Sequence, residues 1–335
     1  MPKIVKQEGF IIHQRRLAEV MQAVNTAVQN RYGIFRHGFK EFLPQWNLPE
    51  EMEFSPQQRE PKDKNLAGLF LYTITSIDRI SVSKIVQRQA RLAWDNPEKR
   101  WIFFPQEVIK RQVSEIGEVL KENLFYNVPI SKDVSTAQGY LNNARVMVDH
   151  FDGDPRNLVR YKTVSQARST LMKLQGIGTG LANLLLMEYA SRNIALPIDP
   201  ENIRPKIDRH KARILINTNA VELTNHLKQE GKIHSGGLLV DALEQAYVET
   251  ARQQGLSLLD IDAALWIIGS RICYLSNYHA CLTNCPLVDG LCTANTQLNH
   301  DNGYFIVYDE KGKRVDNREK RDPNQPLLNF KKPKP

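Results

Sequence analysis

The four cysteines of this chain are the residues whose type and spacing point most directly to chemistry. Cys273, Cys281, Cys285 and Cys292 lie in one short segment, with seven, three and six residues between them. Four thiolates in one loop form a complete ligand set for a [4Fe–4S] cluster or a tetrahedral zinc ion. In a reducing compartment this clustering favours metal ligation over a disulfide framework. His279 could replace one ligand, but four cysteines already suffice, so a loop side chain is the simpler interpretation.

An acidic residue, Asp208, opens an amphipathic segment that runs to Leu215. Aspartate is among the best helix N-caps, so its presence here requires no catalytic duty. A carboxylate fixed at a helix start is nevertheless also suited to stabilising a cationic centre that forms during a reaction. Asp199 is a competing candidate, but Pro200 follows it immediately, whereas an apolar helical pattern follows Asp208. We therefore prefer Asp208.

A glycine-rich segment, Gly176-Ile177-Gly178-Thr179-Gly180, lies between two helical patterns. Its glycines permit a tight turn, which would present successive backbone N–H groups at the start of the next helix. Such a turn can hold a phosphate of the DNA backbone, a contact that positions a duplex without reading its sequence. An ordinary turn between packed helices is the alternative interpretation.

Taken together and in this order, the three motifs resemble the endonuclease III branch of the helix-hairpin-helix DNA glycosylase superfamily. In that family a Leu-Pro-Gly-Val-Gly hairpin precedes a Val-Asp-x-His-x-x-Arg segment that contains the catalytic aspartate. Residues 174–178 and 207–213 of this chain match these two motifs. Trp266, Gly269 and Arg271 correspond to a Trp, a Gly and an Arg that precede the first cluster cysteine. The resemblance covers residues 171–292.

The resemblance implies a mainly all-α, two-lobed glycosylase fold with a C-terminal iron–sulfur cluster loop. It also implies that Asp208 is the catalytic residue, that residues 176–180 contact DNA, and that the four cysteines hold a [4Fe–4S] cluster, with zinc as the alternative. The expected activity is excision of a flipped damaged, mismatched or modified base, as in base excision repair. A catalytically inactive or damage-sensing DNA-binding protein on the same scaffold is the alternative.

Gly180 departs from the family pattern in a way that bears on mechanism. Bifunctional members have at this position a lysine that forms a Schiff base with the sugar, and glycine offers no nucleophile. Hydrolysis by a monofunctional enzyme is therefore expected, with doubtful lyase activity. Lys206 or Lys211 would have to supply the amine if strand cleavage occurred.

Two further departures concern the cluster loop and the base pocket. The family's cysteine intervals are six, two and five, so each interval here is one residue longer. The segment at residues 69–84 resembles the family's helix-turn that wedges a glutamine into the duplex, but it contains no glutamine. Ser76, Asp78 and Arg79 are the base-pocket candidates, and an ordinary helix turn is the alternative for them.

The amino-acid composition and the net charge indicate to which broad class of protein this chain belongs. Apolar residues make up 41% of the chain and charged residues 24%, which is typical of a folded globular protein. A net charge of +8 favours polyanionic partners. No apolar stretch approaches the roughly 20 residues needed to span a bilayer, and no signal peptide is recognisable. We therefore expect a cytoplasmic monomer that binds double-stranded DNA and no membrane.

Helical periodicity dominates the chain and suggests four segments. We assign residues 1–65 to an N-terminal helix with a surface connection, and expect this helix to lie against the C-terminal lobe. Residues 66–206 form a central helical domain with the hairpin, and residues 207–295 contain the Asp208 helix, further helices and the cysteine loop. Residues 296–335 contain a possible β-hairpin, with its turn near Gly312, and a basic tail.

Overall fold

The computed structural model describes residues 4–7, 10–37, 67–69, 71–73, 75, 83–124, 136–191, 194–223, 238–273, 278–288 and 290–292. These residues are mainly helical, as the sequence predicts. The chain divides into two compact units. Unit 1 comprises Met1–Arg36, Ile207–Leu243 and Leu265–Pro335, and unit 2 comprises His37–Lys206 and Glu244–Ala264.

Unit 1 contains a small antiparallel sheet that the sequence analysis did not predict. Strands β1 (Ile4–Gln7), β2 (Phe10–His13) and β3 (Val221–Leu223) lie in the order β1-β2-β3. Side chains of β2 alternate between buried and half-buried, because successive residues of a strand face opposite sides. His13 Nε2 lies 3.2 Å from Glu222 Oε2, which joins β2 to β3 across the solvent-facing side.

Helix α1 (Gln14–Gln29) follows β2 directly and supplies much of the core of unit 1. Its fully buried residues recur every three or four positions and form one apolar face: Leu17, Val20, Met21, Val24 and Ala27. A short 3-10 helix, Gly33–Phe35, comes next in the chain. Among the described residues, helices α8 (Arg209–Asn217) and α11 (Tyr278–Asn284) also lie wholly in unit 1.

The described part of unit 2 contains several helices that share an apolar core. The helices are α2 (Ser83–Asp95), α3 (Pro105–Val108), α4 (Val113–Leu124), α5 (Thr136–Phe151), α6 (Val164–Leu171) and α7 (Thr179–Ser191). α4 packs against both α2 and α5, and α6 packs against α7. Helices α9 (Leu238–Gln253) and α10 (Leu258–Arg271) each have one end in each unit.

Helix α7 is the central helix of unit 2. Buried residues occur on almost every side of it, including Leu181, Leu185, Leu186 and Tyr189. A helix that is apolar all round has to be enclosed by other elements. The start of α7, which forms the second half of the glycine-rich motif, is therefore anchored by the core of this unit.

Apolar residues at helical spacing predict helices over residues 136–150, 164–174, 179–192, 209–217, 237–254 and 259–272. The ends of α5 to α10 agree with these bounds to within three residues. The same spacing predicts a single helix over residues 105–124, which is wrong, since the helix is interrupted between Val108 and Val113. The Glu115 side chain accepts a hydrogen bond from Gln112 N at 2.8 Å, which caps a new helix start. Apolar periodicity continues through this break, so periodicity alone could not reveal it.

Within the part of the chain that the structure describes, no helix is long and apolar enough to cross a membrane. The predicted surface connection at residues 43–65 and the predicted hairpin and tail at residues 296–335 lie outside the described residues.

Candidate functional site

Asp208 is the N-cap of helix α8. Its backbone is extended, with φ −101° and ψ 178°, and its Oδ1 accepts hydrogen bonds from His210 N at 2.9 Å and Lys211 N at 3.1 Å. These amides belong to the first turn of the helix, where N–H groups have no partner within the helix. The helix dipole also favours a negative charge at this end. The half-buried carboxylate is therefore held in a fixed position.

Glycine at position 269 lets the start of α8 approach α10 closely. A Cβ atom at Gly269 would lie 2.7 Å from His210 O and 2.8 Å from His210 Cβ, closer than real Cβ contacts. Gly269 O accepts a hydrogen bond from Arg213 Nη2, and His210 Nδ1 lies 3.1 Å from the same oxygen. The His210 ring also meets the edge of Trp266, with centroids 6.4 Å apart. Four of the residues that match the family motif thus fix the helix that Asp208 caps.

Asp199, the competing carboxylate, has a structural role in unit 2. Its Oδ1 accepts a hydrogen bond from Val164 N, the first residue of α6, at 2.6 Å. Its Oδ2 accepts one from Asn202 Nδ2 at 3.1 Å. Both oxygens of Asp199 therefore accept hydrogen bonds from the protein. This structural role explains an aspartate before Pro200 without a catalytic role.

The glycine-rich motif forms the turn between α6 and α7 in unit 2. Gly176 has φ +82°, a left-handed conformation that favours glycine. Gly178 is not among the positive-φ residues, and no atom lies within 4 Å of a Cβ built there, so the turn itself does not require glycine at 178. Ile177 is buried, whereas Gly176 and Gly178 are exposed. The exposed backbone of the turn is therefore anchored by the Ile177 side chain.

Asn143 of α5 holds the turn in place. Its Oδ1 accepts a hydrogen bond from Gln175 N at 2.6 Å, and its Nδ2 donates one to Gln175 O at 3.0 Å. One side-chain amide thus pairs with both backbone groups of the residue before Gly176. Sequence reasoning missed Asn143, because no local pattern links a residue of α5 to a turn 32 positions later.

The side chain of Lys206 lies over Gly180, at the start of α7. A Cβ atom at Gly180 would lie 3.7 Å from Lys206 Cγ and 3.8 Å from Lys206 Cε. The aliphatic part of the Lys206 side chain thus fills the space next to Gly180, the position at which bifunctional members of the family have a lysine. Lys211, the other amine considered, is buried on α8.

The four cysteines line one small cavity in unit 1. Cys281 and Cys285 are buried, while Cys273 and Cys292 are half-buried. The other lining residues come from α8, α10 and the cysteine loop: Ile214, Asn217, Thr218, Ile268 and Leu287. All four thiols are free of disulfides. The structure thus brings the four predicted ligands to the same place.

The thiols of this cavity interact with one another and with α8. A hydrogen bond with Cys281, together with burial, raises the pKa of Cys285 far above its usual range. Asn217 Nδ2 lies 3.8 Å from Cys273 Sγ. Protonated thiols must lose their protons before they can ligate a metal, so metal binding here is expected to strengthen as the pH rises.

The donor set fits a metal centre, although the side chains do not stand in ligating positions. Among the described residues, no group of three or more His, Cys, Asp or Glu side chains has a geometry that could hold a metal ion. Four thiols around one cavity with largely apolar walls nevertheless have the chemistry of an iron–sulfur or zinc site. The described residues therefore have the donor chemistry of such a site but not the geometry of a ligated metal.

Arg16 of α1 ties the end of the cysteine loop to the end of α8. Its Nε donates a hydrogen bond to Thr218 O at 2.8 Å. Its Nη2 donates to Gly290 O at 3.1 Å and to Leu291 O at 2.8 Å. One guanidinium therefore connects three backbone carbonyls that flank the cysteine cavity.

Gly33 provides a second link between the N-terminal segment and this loop. It has φ +60°, and a Cβ atom there would lie 2.4 Å from Asn284 O, so the backbones come into direct contact. Arg36 Nη2 also donates a hydrogen bond to Asn284 Oδ1 at 2.8 Å. Sequence reasoning missed Arg16 and Gly33, which lie more than 200 positions before their partners.

The base-pocket candidates Ser76, Asp78 and Arg79 lie outside the described residues. The glycine-rich turn belongs to unit 2 and Asp208 belongs to unit 1. Lys206 and Asp208 are separated only by Ile207 in the chain.

The chain was also compared with known proteins. No model of a protein family matches it, and no curated protein matches it.

Proposed function

We propose that this chain is a DNA glycosylase that hydrolyses the N-glycosidic bond of a flipped damaged, mismatched or modified base. The main support is the Asp208 carboxylate, which two backbone N–H groups hold at the start of α8. The close contact between Gly269 and His210 in turn holds the start of α8 in place. A group that is fixed before the reaction stabilises developing charge at no cost of reorganisation.

DNA binding is supported by the glycine-rich turn and by the charge of the chain. The exposed residues Gly176 and Gly178 lead into α7, whose first N–H groups can donate to a phosphate. The net charge of +8 favours a polyanion. Because phosphate contacts carry no sequence information, these features suit an enzyme that searches DNA of any sequence.

In the proposed reaction, the bond between C1′ of the sugar and the base nitrogen breaks. The electron pair leaves with the base, which takes up a proton from solvent, and the sugar becomes cationic. Asp208 stabilises this cation and orients a water molecule, whose oxygen bonds to C1′. The water proton passes to the carboxylate and then to solvent, so the products are a free base and an abasic site.

The cysteines have a structural part in this proposal. Cys273, Cys281, Cys285 and Cys292 would hold a [4Fe–4S] cluster, or zinc in the alternative. With four protein thiolates as ligands, the metal would have no open position at which to activate water. Its contribution would be to close the loop against α8.

The test is a single-turnover excision assay on a panel of damaged and mismatched duplexes, comparing the wild type with Asp208→Asn. Asparagine is about as good an N-cap as aspartate, so α8 is expected to stay folded. Loss of the charge is expected to lower excision at least about tenfold, because electrostatic groups of this kind contribute a few kcal/mol. Duplex affinity, measured in parallel, is expected to change little.

Asp199→Asn is the matched variant. It removes the charge of a carboxylate whose two oxygens already have structural donors, so it is expected to affect stability more than excision. If Asp208→Asn excised at the wild-type rate while Asp199→Asn did not, the catalytic assignment would move to Asp199. Tight duplex binding without product on any substrate would instead favour a DNA-binding protein that lacks catalysis.

A further inference from the structure

Unit 2 contains a cavity of about 70 Å³ that the proposed reaction does not use. It lies between α5, the helical residues 67–69, 71–73 and 75, the segment at residues 103–108 and the glycine-rich turn. A water molecule needs roughly 10–15 Å³ of such space, so the cavity is large enough for more than water alone.

The described walls of the cavity are uncharged and partly aromatic. Among the residues that the structure describes, none that lines the cavity carries a charged side chain. Tyr72 meets Phe103 edge to face, with centroids 5.5 Å apart, and meets Tyr140 at 5.1 Å. Ala144 and Met147 of α5 add apolar surface. An aromatic ring favours such edge-to-face and thioether contacts, whereas an ion would lose its hydration without gaining a partner.

Several polar groups of the residues that line the cavity are engaged within the protein. Tyr140 OH donates a hydrogen bond to Ile102 O, and Thr75 Oγ1 donates one to Tyr72 O at 2.9 Å. Asn143 uses both ends of its amide on Gln175. These three groups are therefore less available to water in the cavity, which favours an apolar occupant.

The cavity is also in contact with the glycine-rich turn. Leu174, Gln175, Gly176 and Ile177 form one of its walls, and Asn143 connects this wall to α5. An occupant would touch the turn directly. Binding in the cavity should therefore change the environment of the turn.

We propose that this cavity binds a small uncharged molecule with a single aromatic ring, and that the glycine-rich turn responds to its occupancy. The proposal concerns unit 2 alone and does not depend on glycosylase activity.

The experiment titrates the full chain with benzene and follows the backbone amide signals by NMR. Saturable shifts are expected at residues 174–177 and at α5. Benzoate, which has the same ring with a charge, is expected to cause no such shifts at equal concentration. No saturable shift with benzene, or equal shifts with benzoate, would disprove the proposal.

Ala144→Leu locates the site, because it fills the cavity from a buried position on α5 with little loss of helix propensity. It is expected to raise the dissociation constant for benzene at least tenfold. Ala144→Val, which adds less volume, serves if the leucine variant does not fold, and is expected to weaken binding by a smaller factor. Unchanged affinity in a folded variant would place the binding site elsewhere and overturn the proposal.

Discussion

Gly269→Ala tests whether the contact between α8 and α10 positions Asp208. The new Cβ would lie 2.7 Å from His210 O and 2.9 Å from His210 C, both backbone atoms. Because no flexible side chain can yield, the helices must separate, and overpacking of this kind costs about 1–3 kcal/mol. Alanine recovers about 1 kcal/mol of helix propensity relative to glycine. The net loss is therefore about 0–2 kcal/mol.

Gly117→Ala is the control, since it makes the same change inside helix α4. There the new Cβ would lie 3.6 Å from Ala137 Cβ, an ordinary contact, so this variant is expected to gain up to about 1 kcal/mol. Thermal unfolding should thus shift in opposite directions for the two variants.

The excision rate of the Gly269→Ala variant should also fall, because displacement of a catalytic group by about 1 Å can lower the rate about 10²-fold. A Gly269→Ala protein that is stabilised like Gly117→Ala and excises normally would refute the reasoning.

Three further predictions concern the cysteines, Gly180 and Arg16. Replacing any one cysteine by serine is expected to lower iron content, soluble yield and duplex affinity together; one zinc per chain without iron, after anaerobic purification, would disprove the iron–sulfur assignment. Base release is expected without a covalent adduct, because Gly180 carries no amine; a stoichiometric protein–DNA adduct after borohydride reduction would show that Lys206 or Lys211 reacts with the sugar. Arg16→Gln is expected to destabilise unit 1 by about 1–3 kcal/mol, because three carbonyls lose their donor. The check is hydrogen exchange at Gly290 and Leu291. Arg15→Gln, whose side chain is 80% exposed, should change stability by less than about 0.5 kcal/mol, and an equal effect of the two variants would contradict the role of Arg16.

The local features of the sequence predicted the helices and the cap at Asp208. Helix α8 was predicted with its observed bounds because an aspartate N-cap and an apolar helical pattern occur together in adjacent residues. The grouping of four cysteines in one segment likewise indicated a shared location, and they line one cavity. Signals of this kind depend only on neighbours in the chain.

Features that depend on distant residues could not be predicted in the same way. Strand β2 pairs with β3, and Arg16 binds carbonyls of the cysteine loop, across most of the length of the chain. The glycine at 269 was noted only through the resemblance, and its steric reason is visible only once α8 lies against α10. The position of the Lys206 side chain could not be predicted either, because only the folded unit 2 shows its aliphatic part over Gly180.

The pairing of β2 with β3 also constrains how the protein can fold as it is synthesised. His13 and Glu222, which meet across these strands, are 209 positions apart. At about 5–20 residues per second, a ribosome needs about 10–40 s to add the partner strand. During that interval Phe10 and Ile12, both buried in the finished protein, belong to an unpaired edge. Unit 2 includes residues 244–264, so its folding cannot be completed until these residues have been synthesised. Chaperones that hold a nascent N-terminus should therefore improve the yield of this protein more than agents that act after release.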